Sequence, residues 1–232
     1  MLSEDGRLLT AVWLVRERTE REARELFAGL AADLGALDVD PVLGQMARQA
    51  AADEGRHARR CRALVARFAA PAAPPAPLPP RRLQLGPPEL PIARRALYAS
   101  VALSCVTETL ATALLLELRR RATDATVRAT LHEVLRDEVD HARLGWAHLA
   151  AVARTGTAAW LAPHVPAMLR AALGGQIAPV DGGAPDPDLS GYGLLPHAEV
   201  FRVVRAVAAE VLFPGLERFG IDTAEARASL PS

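Results

Sequence analysis

The chain has 232 residues, half of them apolar, enough to build one large core or two small ones. Its 27 basic and 27 acidic residues cancel, and the basic ones, all Arg, form no stripe that could follow a phosphate backbone, so nucleic acid is excluded as an expected partner. Two cysteines, Cys61 and Cys105, cannot make a disulfide framework or a four-cysteine metal module, and a reducing cytoplasm is the expected compartment.

Aromatic residues make up only 4% while Ala and Leu dominate, a composition that suits close helix packing and predicts an all-α fold. A first helix is expected over about 8–34, where Ala23, Phe27, Leu30 and Leu34 recur at helical spacing before Gly35 stops them. Its apolar start runs straight into Arg16-Glu17-Arg18 with no small-residue cleavage site, so it is not read as a signal peptide. Asp40-Pro41 then offers a cap with proline at the first helical position. Leu43, Met46, Ala50, His57, Cys61 and Leu64 carry a second helix to about residue 70.

Residues 71–91 hold nine prolines, which forbid a helix and favour extended polyproline geometry. At about 3 Å per residue such a spacer reaches roughly 60 Å, more than the roughly 45 Å of a long bundle helix, so it can return the chain to its starting end. A third helix is expected over about 91–121 and a fourth, capped by Thr123 or Asp124, to about 154, with a short turn making the two antiparallel. After Gly156 a shorter helix interrupted by Pro163 and Pro166 reaches about 173. A Gly/Pro/Asp-rich loop follows over about 174–195, and a last helix over about 196–213 is kinked or ended by Pro214-Gly215. No boundary is strong enough to split the chain. The expectation is one domain over 1–232, with a bundle core over about 8–155 and a C-terminal helical extension over about 156–232. No stretch is expected to reach the roughly 20 apolar residues that a bilayer span needs.

The chemistry lies in a repeated motif. The second helix carries Asp53-Glu54-Gly55-Arg56-His57 and the fourth Asp137-Glu138-Val139-Asp140-His141, both Asp-Glu-x-x-His. Residues three apart on a helix share a face, so each Glu and His can bind one side of the same ion pair. With fifteen Glu in the chain, only about one His in fifteen has a Glu at that spacing by chance, and two matches on separate helices weigh against coincidence. Glu20 and Glu108 sit on the apolar faces of the first and third helices, and all four Glu fall near the middle of their helices. Four ionised carboxylates in one core layer would each incur a penalty of several kcal/mol, against a domain stability of about 5–15 kcal/mol, unless cations neutralise them. Two divalent ions balance four carboxylates, and mixed carboxylate and imidazole donors suit iron or manganese, with zinc a competitor.

These residues resemble the ferritin-like di-iron carboxylate superfamily, in which one Glu from each of two helices and Glu-x-x-His from each of the other two bind the metals. The resemblance covers about residues 8–155 and implies a four-helix bundle with a long crossover between its second and third helices, plus additional C-terminal helices. It also implies the metal ligands Glu20, Glu54, His57, Glu108, Glu138 and His141. Asp53 and Asp137 are similar to residues of the oxygenase branches that hydrogen-bond the His of the facing motif. Glu20-Arg21-Glu22-Ala23-Arg24 looks like the first ligand helix of rubrerythrins and favours Glu20 over Glu17 and Glu25. Asp-Glu-x-Arg-His at 53–57 is similar to bacterial multicomponent monooxygenases, and Thr112, one turn after Glu108, matches their active-site Thr; a helix hydroxyl bonded to its own backbone is the plainer reading. Cys61 stands where ribonucleotide reductases carry their radical Tyr, and Val134 where arylamine oxygenases carry a third His, so neither subtype is supported.

The resemblance implies two Fe ions, or Mn with Fe, with O2 as co-substrate, in an oxidoreductase that activates O2 or peroxide to oxidise or hydroxylate a small organic molecule. That substrate would sit beside Glu108, with Thr112 and Cys105 as candidate catalytic residues. A ferroxidase or rubrerythrin-like role is the alternative, and a metal-stabilised, non-enzymatic bundle is a third. A separate electron-donor protein is expected because no flavin or nicotinamide fingerprint is present, no membrane partner is expected, and a homodimer is compatible with the sequence. His132, His148, His164 and His197 lack partner spacing, and Trp13, Trp146 and Trp160 read as packing anchors.

Overall fold

The computed structural model describes residues 3–81, 85–154, 156–176 and 188–230. The protein is all-α: among the described residues the only β pairing is an isolated bridge between Leu189 and Leu194. Helix α1 (Glu4–Gly35) starts earlier than its apolar period suggests, because Ser3 caps it by accepting from Gly6 N–H at 3.1 Å and Glu4 and Asp5 complement its N-terminal dipole. Helix α2 (Pro41–Ala69) starts with Asp40 accepting from Val42 N–H at 2.9 Å and proline at its first position. The third bundle helix comprises α3 (Ile92–Ser100), a π-helical segment (Val101–Thr107) and α4 (Glu108–Arg121). Asp124 caps α5 (Ala125–Val152), accepting from Thr126 and Val127 N–H.

Two ion pairs set the directions. Arg95 at the start of α3 grips Asp33 near the end of α1 through two bonds of 2.7 Å, and Arg67 near the end of α2 pairs with Asp124 at the start of α5. With a short turn inside each hairpin, α2 and the third helix therefore run the same way, and residues 70–91 must travel the length of the bundle. This crossover is tied to α1: Arg21 donates to the Leu78 carbonyl at 2.5 Å, and Arg81 grips the buried Glu22 with its guanidinium at 2.7 and 3.1 Å and its backbone N–H at 2.6 Å.

The apolar interior divides in two. One cluster holds Phe27, Leu30, Leu34, Leu43, Ala47 and Leu144; the other holds Trp13, Leu64, Leu110, Leu114 and Leu131 and continues into the C-terminal helices through Leu169, Leu212 and Phe213. In each bundle helix the layer of Glu20, Glu54 with His57, Glu108, and Glu138 with His141 lies between residues of the two clusters. Helical periodicity thus delivers a polar layer with apolar packing above and below it.

The segment Ile92–Arg121, against the sequence expectation, is long and apolar enough to cross a membrane, with 72% of its most apolar window buried inside the protein. Glu108 interrupts the apolar run near its middle, and a helix packed on several sides needs such a composition. Beyond the bundle, a 3₁₀ turn (Ala159–His164) leads into α6 (Val165–Gln176), and α7 (His197–Val207), a π turn (Ala208–Leu212), α8 (Phe213–Glu217) and α9 (Ala224–Ala228) follow. Pro214 does not end the last long helix. It sits in the first turn of α8, where its missing N–H is not required. Helix α9 was not expected, and most of the loop expected over 174–195 lies outside the described residues.

Candidate metal centre

Two groups of donor atoms converge in the polar layer. Glu20, Glu54, His57 and Glu138 each place one donor within 4.8 Å of the others, and so do Glu54, Glu108, Glu138 and His141. Glu54 and Glu138 belong to both groups. His57 Nδ1 lies 3.3 Å from Glu54, 3.4 Å from Glu138 and 3.8 Å from Glu20. His141 Nδ1 lies 2.6 Å from Glu138 and 3.3 Å from Glu54. The i to i+3 spacing puts each Glu and His of a motif on one inward face, and the antiparallel hairpins bring the four faces to one depth.

The outer ring nitrogens point away from the layer toward the opposite motif. His57 Nε2 is 3.2 Å from Asp137 and His141 Nε2 is 3.2 Å from Asp53. Arg56 joins both aspartates, at 2.5 Å from Asp53 and 3.1 Å from Asp137, while Gln49 donates to Asp53 at 2.6 Å and Arg136 to Asp137 at 3.0 Å. Each imidazole is thereby fixed with Nδ1 facing the carboxylates.

The electrostatics are those of a crowded anionic site. Burial, and next the charge of Glu54, push the Glu20 carboxyl well above the usual range; burial and then Glu138 do the same to Glu108. Burial would raise Glu54 too, but the His141 and His57 rings, each 3.3 Å away, overcome it and hold this carboxylate ionised. Burial disfavours charge on His141, yet the neighbouring Glu138 and Glu54 outweigh that and raise its pKa to about 11; His57 is raised by the same means by the nearby Glu138, Glu20 and Glu54. Without cations, protons on the two histidines and on Glu20 and Glu108 compensate the charge. Even so, His57 Nδ1 and Glu54 Oε2 are buried without a hydrogen-bond partner, two donor atoms facing the point where an ion would sit.

Glu25 is exposed and Glu17 is bound to Arg21 at 2.9 Å, so Glu20 is the first-helix carboxylate brought to the cluster. Thr112 and Cys105 are not brought to it. The Cys105 thiol is fully buried against Gly145 of α5, and neither residue lines the cavities at the cluster; Thr107 lines both. Thr107 closes the π segment immediately before Glu108, and its hydroxyl bonds the Ala102 carbonyl five residues back at 2.9 Å. His148 is a core imidazole bonded to Ser100 at 2.8 Å. Arg16, Gln49 and Thr107 were missed by sequence reasoning; only Gln49 and Arg16 left a signal, each lying one turn before a site residue.

Two cavities meet at the cluster. One of about 80 Å³ is lined by Glu20, Glu54, Glu108 and Glu138 together with Arg16 and the aliphatic side of α4. A larger one, of about 470 Å³, lies among α1, the crossover, the third helix and α6, with Leu26, Leu85, Tyr98, Leu103 and Met168 in its walls, and reaches Glu108. The two share Thr19, Ala23, Thr107 and Glu108.

No known protein family, curated protein or solved structure matches the chain at a significant level. The molecule is defined by its own fold and site: an all-α bundle enclosing a carboxylate and histidine cluster that can bind metal.

Proposed function

We propose that the protein is a ferritin-like, non-haem di-iron oxidoreductase that uses O2 or peroxide to oxidise a small organic substrate. The observation that carries this reading is the junction of the six-donor cluster with a largely apolar cavity at Glu108, which Glu22, Arg81 and Arg170 also line. The donor set fits the ions: four carboxylates match two divalent charges, oxygen and imidazole donors suit iron, and the partnerless Glu54 Oε2 and His57 Nδ1 are the atoms an ion would satisfy. Glu20 and His57 would hold one ion, Glu108 and His141 the other, and Glu54 and Glu138 would be shared.

Bound iron would supply the redox chemistry, accepting electrons from a separate donor protein and delivering oxidising power to the substrate. The chain's own groups do the rest. Asp53 and Asp137 keep the imidazoles aimed inward. Glu108, which lines both cavities, would be the ligand nearest the substrate. Leu26, Leu85, Leu103 and Met168 exclude water, and a volume of about 470 Å³ lies within the range that takes small organic ligands, roughly 300–1,000 Å³. An iron-storing role has no use for such a cavity.

The test is anaerobic loading with Fe(II), exposure to air, and measurement of metal content, O2 uptake and optical spectrum. Wild type is expected to hold two ions per chain, and Glu54→Ala and His141→Ala are expected to lose them; full metal content and unchanged O2 uptake in both variants would overturn the ligand assignment. Incubation with isotopically labelled O2, a reductant and a small-molecule extract should yield labelled organic product. Oxidised iron without any such product would decide for iron handling instead.

A further inference from the structure

Arg16 lies one turn before Glu20 on α1, and its side chain lines the same cavity as all four cluster glutamates. Its Nη1 is sealed from solvent and has no hydrogen-bond partner, and among the described residues it makes no ion pair within 4.0 Å. The guanidinium stacks on Trp13, 4.6 Å from the ring centroid, which fixes its plane. A buried guanidinium without a carboxylate partner is costly, and this one cannot shed its charge. Of the acids beside it on α1, Glu17 is held by Arg21 and Glu20 belongs to the cluster. Once two divalent ions balance the four glutamates, Glu20 would no longer offset the positive charge of Arg16.

A second cavity, of about 20 Å³, lies on the far side of Arg16, Leu114 and Leu118 and is walled by Leu194, Leu195 and Val200 from the C-terminal extension. Arg16 thus stands between the glutamate cluster and a small pocket whose other walls are aliphatic apart from His197.

We infer that Arg16 anchors the anionic head of the substrate, a small aliphatic carboxylate whose body runs past the cluster into the larger cavity. This rests on the oxidoreductase reading. The guanidinium fork accepts a carboxylate through paired N–H bonds, Leu114, Leu115 and Leu118 cover the first carbons, and the shared walls Thr19, Ala23, Thr107 and Glu108 give the chain its way into the cavity of about 470 Å³. The C-terminal extension closes the space behind Arg16 and so keeps water from competing for it.

The test compares octanoate with octan-1-ol by ligand-observed NMR titration, on the iron-loaded and the metal-free full chain. Wild type is expected to bind octanoate about tenfold or more tighter than the alcohol, and Arg16→Gln to bind the two alike while keeping its metal content. Equal binding of acid and alcohol by wild type, no binding of octanoate, or an unchanged preference in Arg16→Gln would overturn the inference. The wild-type comparison decides alone if Arg16→Gln does not fold. Failure of wild type to take up iron sinks the oxidoreductase reading and leaves the acid-against-alcohol comparison readable on the metal-free chain.

Discussion

Asp53 and Asp137 each serve the histidine of the other motif, so the two halves of the site orient one another across the bundle. Asp137→Asn keeps the shape but reverses one hydrogen-bonding role, and metal affinity is expected to fall about 10–100-fold in a chelator competition titration. Wild-type affinity in that variant would show that Asp137 does not orient His57. His148 shows the opposite treatment of an imidazole: burial without a carboxylate pulls its pKa down to about 4. Unfolded histidine titrates near 6.5, so between about 6.5 and 4 the unfolded chain binds the extra proton; this contribution is intact above that window and is lost as pH falls through it, by up to about 3 kcal/mol. In His148→Gln the acid-side decline in denaturant stability should flatten, and an identical pH profile would count against the buried neutral imidazole. At this scale the motif residues were legible because three-residue spacing is a local signal. Arg16 was not, since nothing in a run of charged residues says which one turns inward.

The third bundle helix is where sequence reasoning and structure part. Its ends were legible from Pro91 and from the cap that Thr123 and Asp124 offer the next helix, but the π segment was not, because the same apolar pattern fits a continuous α-helix. Thr107, the last residue of that segment, lines both cavities at the cluster. The segment depends on Gly145 of α5: a Cβ there would stand 2.6 Å from Cys105 Sγ, 2.7 Å from the Ser100 carbonyl and 2.9 Å from the Cys105 nitrogen. Two of those atoms are backbone and cannot swing aside. Gly145→Ala is therefore expected to cost about 1–3 kcal/mol in chemical denaturation, despite alanine's better helix propensity, and to weaken metal binding by displacing Glu108. A variant as stable as wild type would mean that α5 and the π segment are not in such close contact.

For the whole molecule, the crossover was legible from its prolines, and the order of helices followed from its length. The C-terminal extension was legible only in part, since α9 is too short to show a period and Pro214 proved compatible with a helix start. The divided core makes the metal-free protein depend on protons. His141, raised to about 11, and the raised His57, Glu20 and Glu108 hold protons that incoming ions must displace. Loading should release protons into weakly buffered solution, weaken as pH falls, and raise Tm; free ion at about 100 times Kd adds about 2.7 kcal/mol per site, reversed by a chelator. Loading without proton release or a rise in Tm would contradict this charge balance.

The sharing of Glu54 and Glu138 between the two donor groups also bears on how the chain is made. The first hairpin leaves the ribosome with Glu20, Glu54 and His57, three donors for one ion, and waits for Glu138; the second hairpin brings Glu108, Glu138 and His141 and depends on Glu54 in return. Neither half can close a coordination shell by itself. Tight capture of either ion would therefore report that both hairpins have been synthesised and joined in the right register, so that metal binding would serve as a checkpoint on assembly.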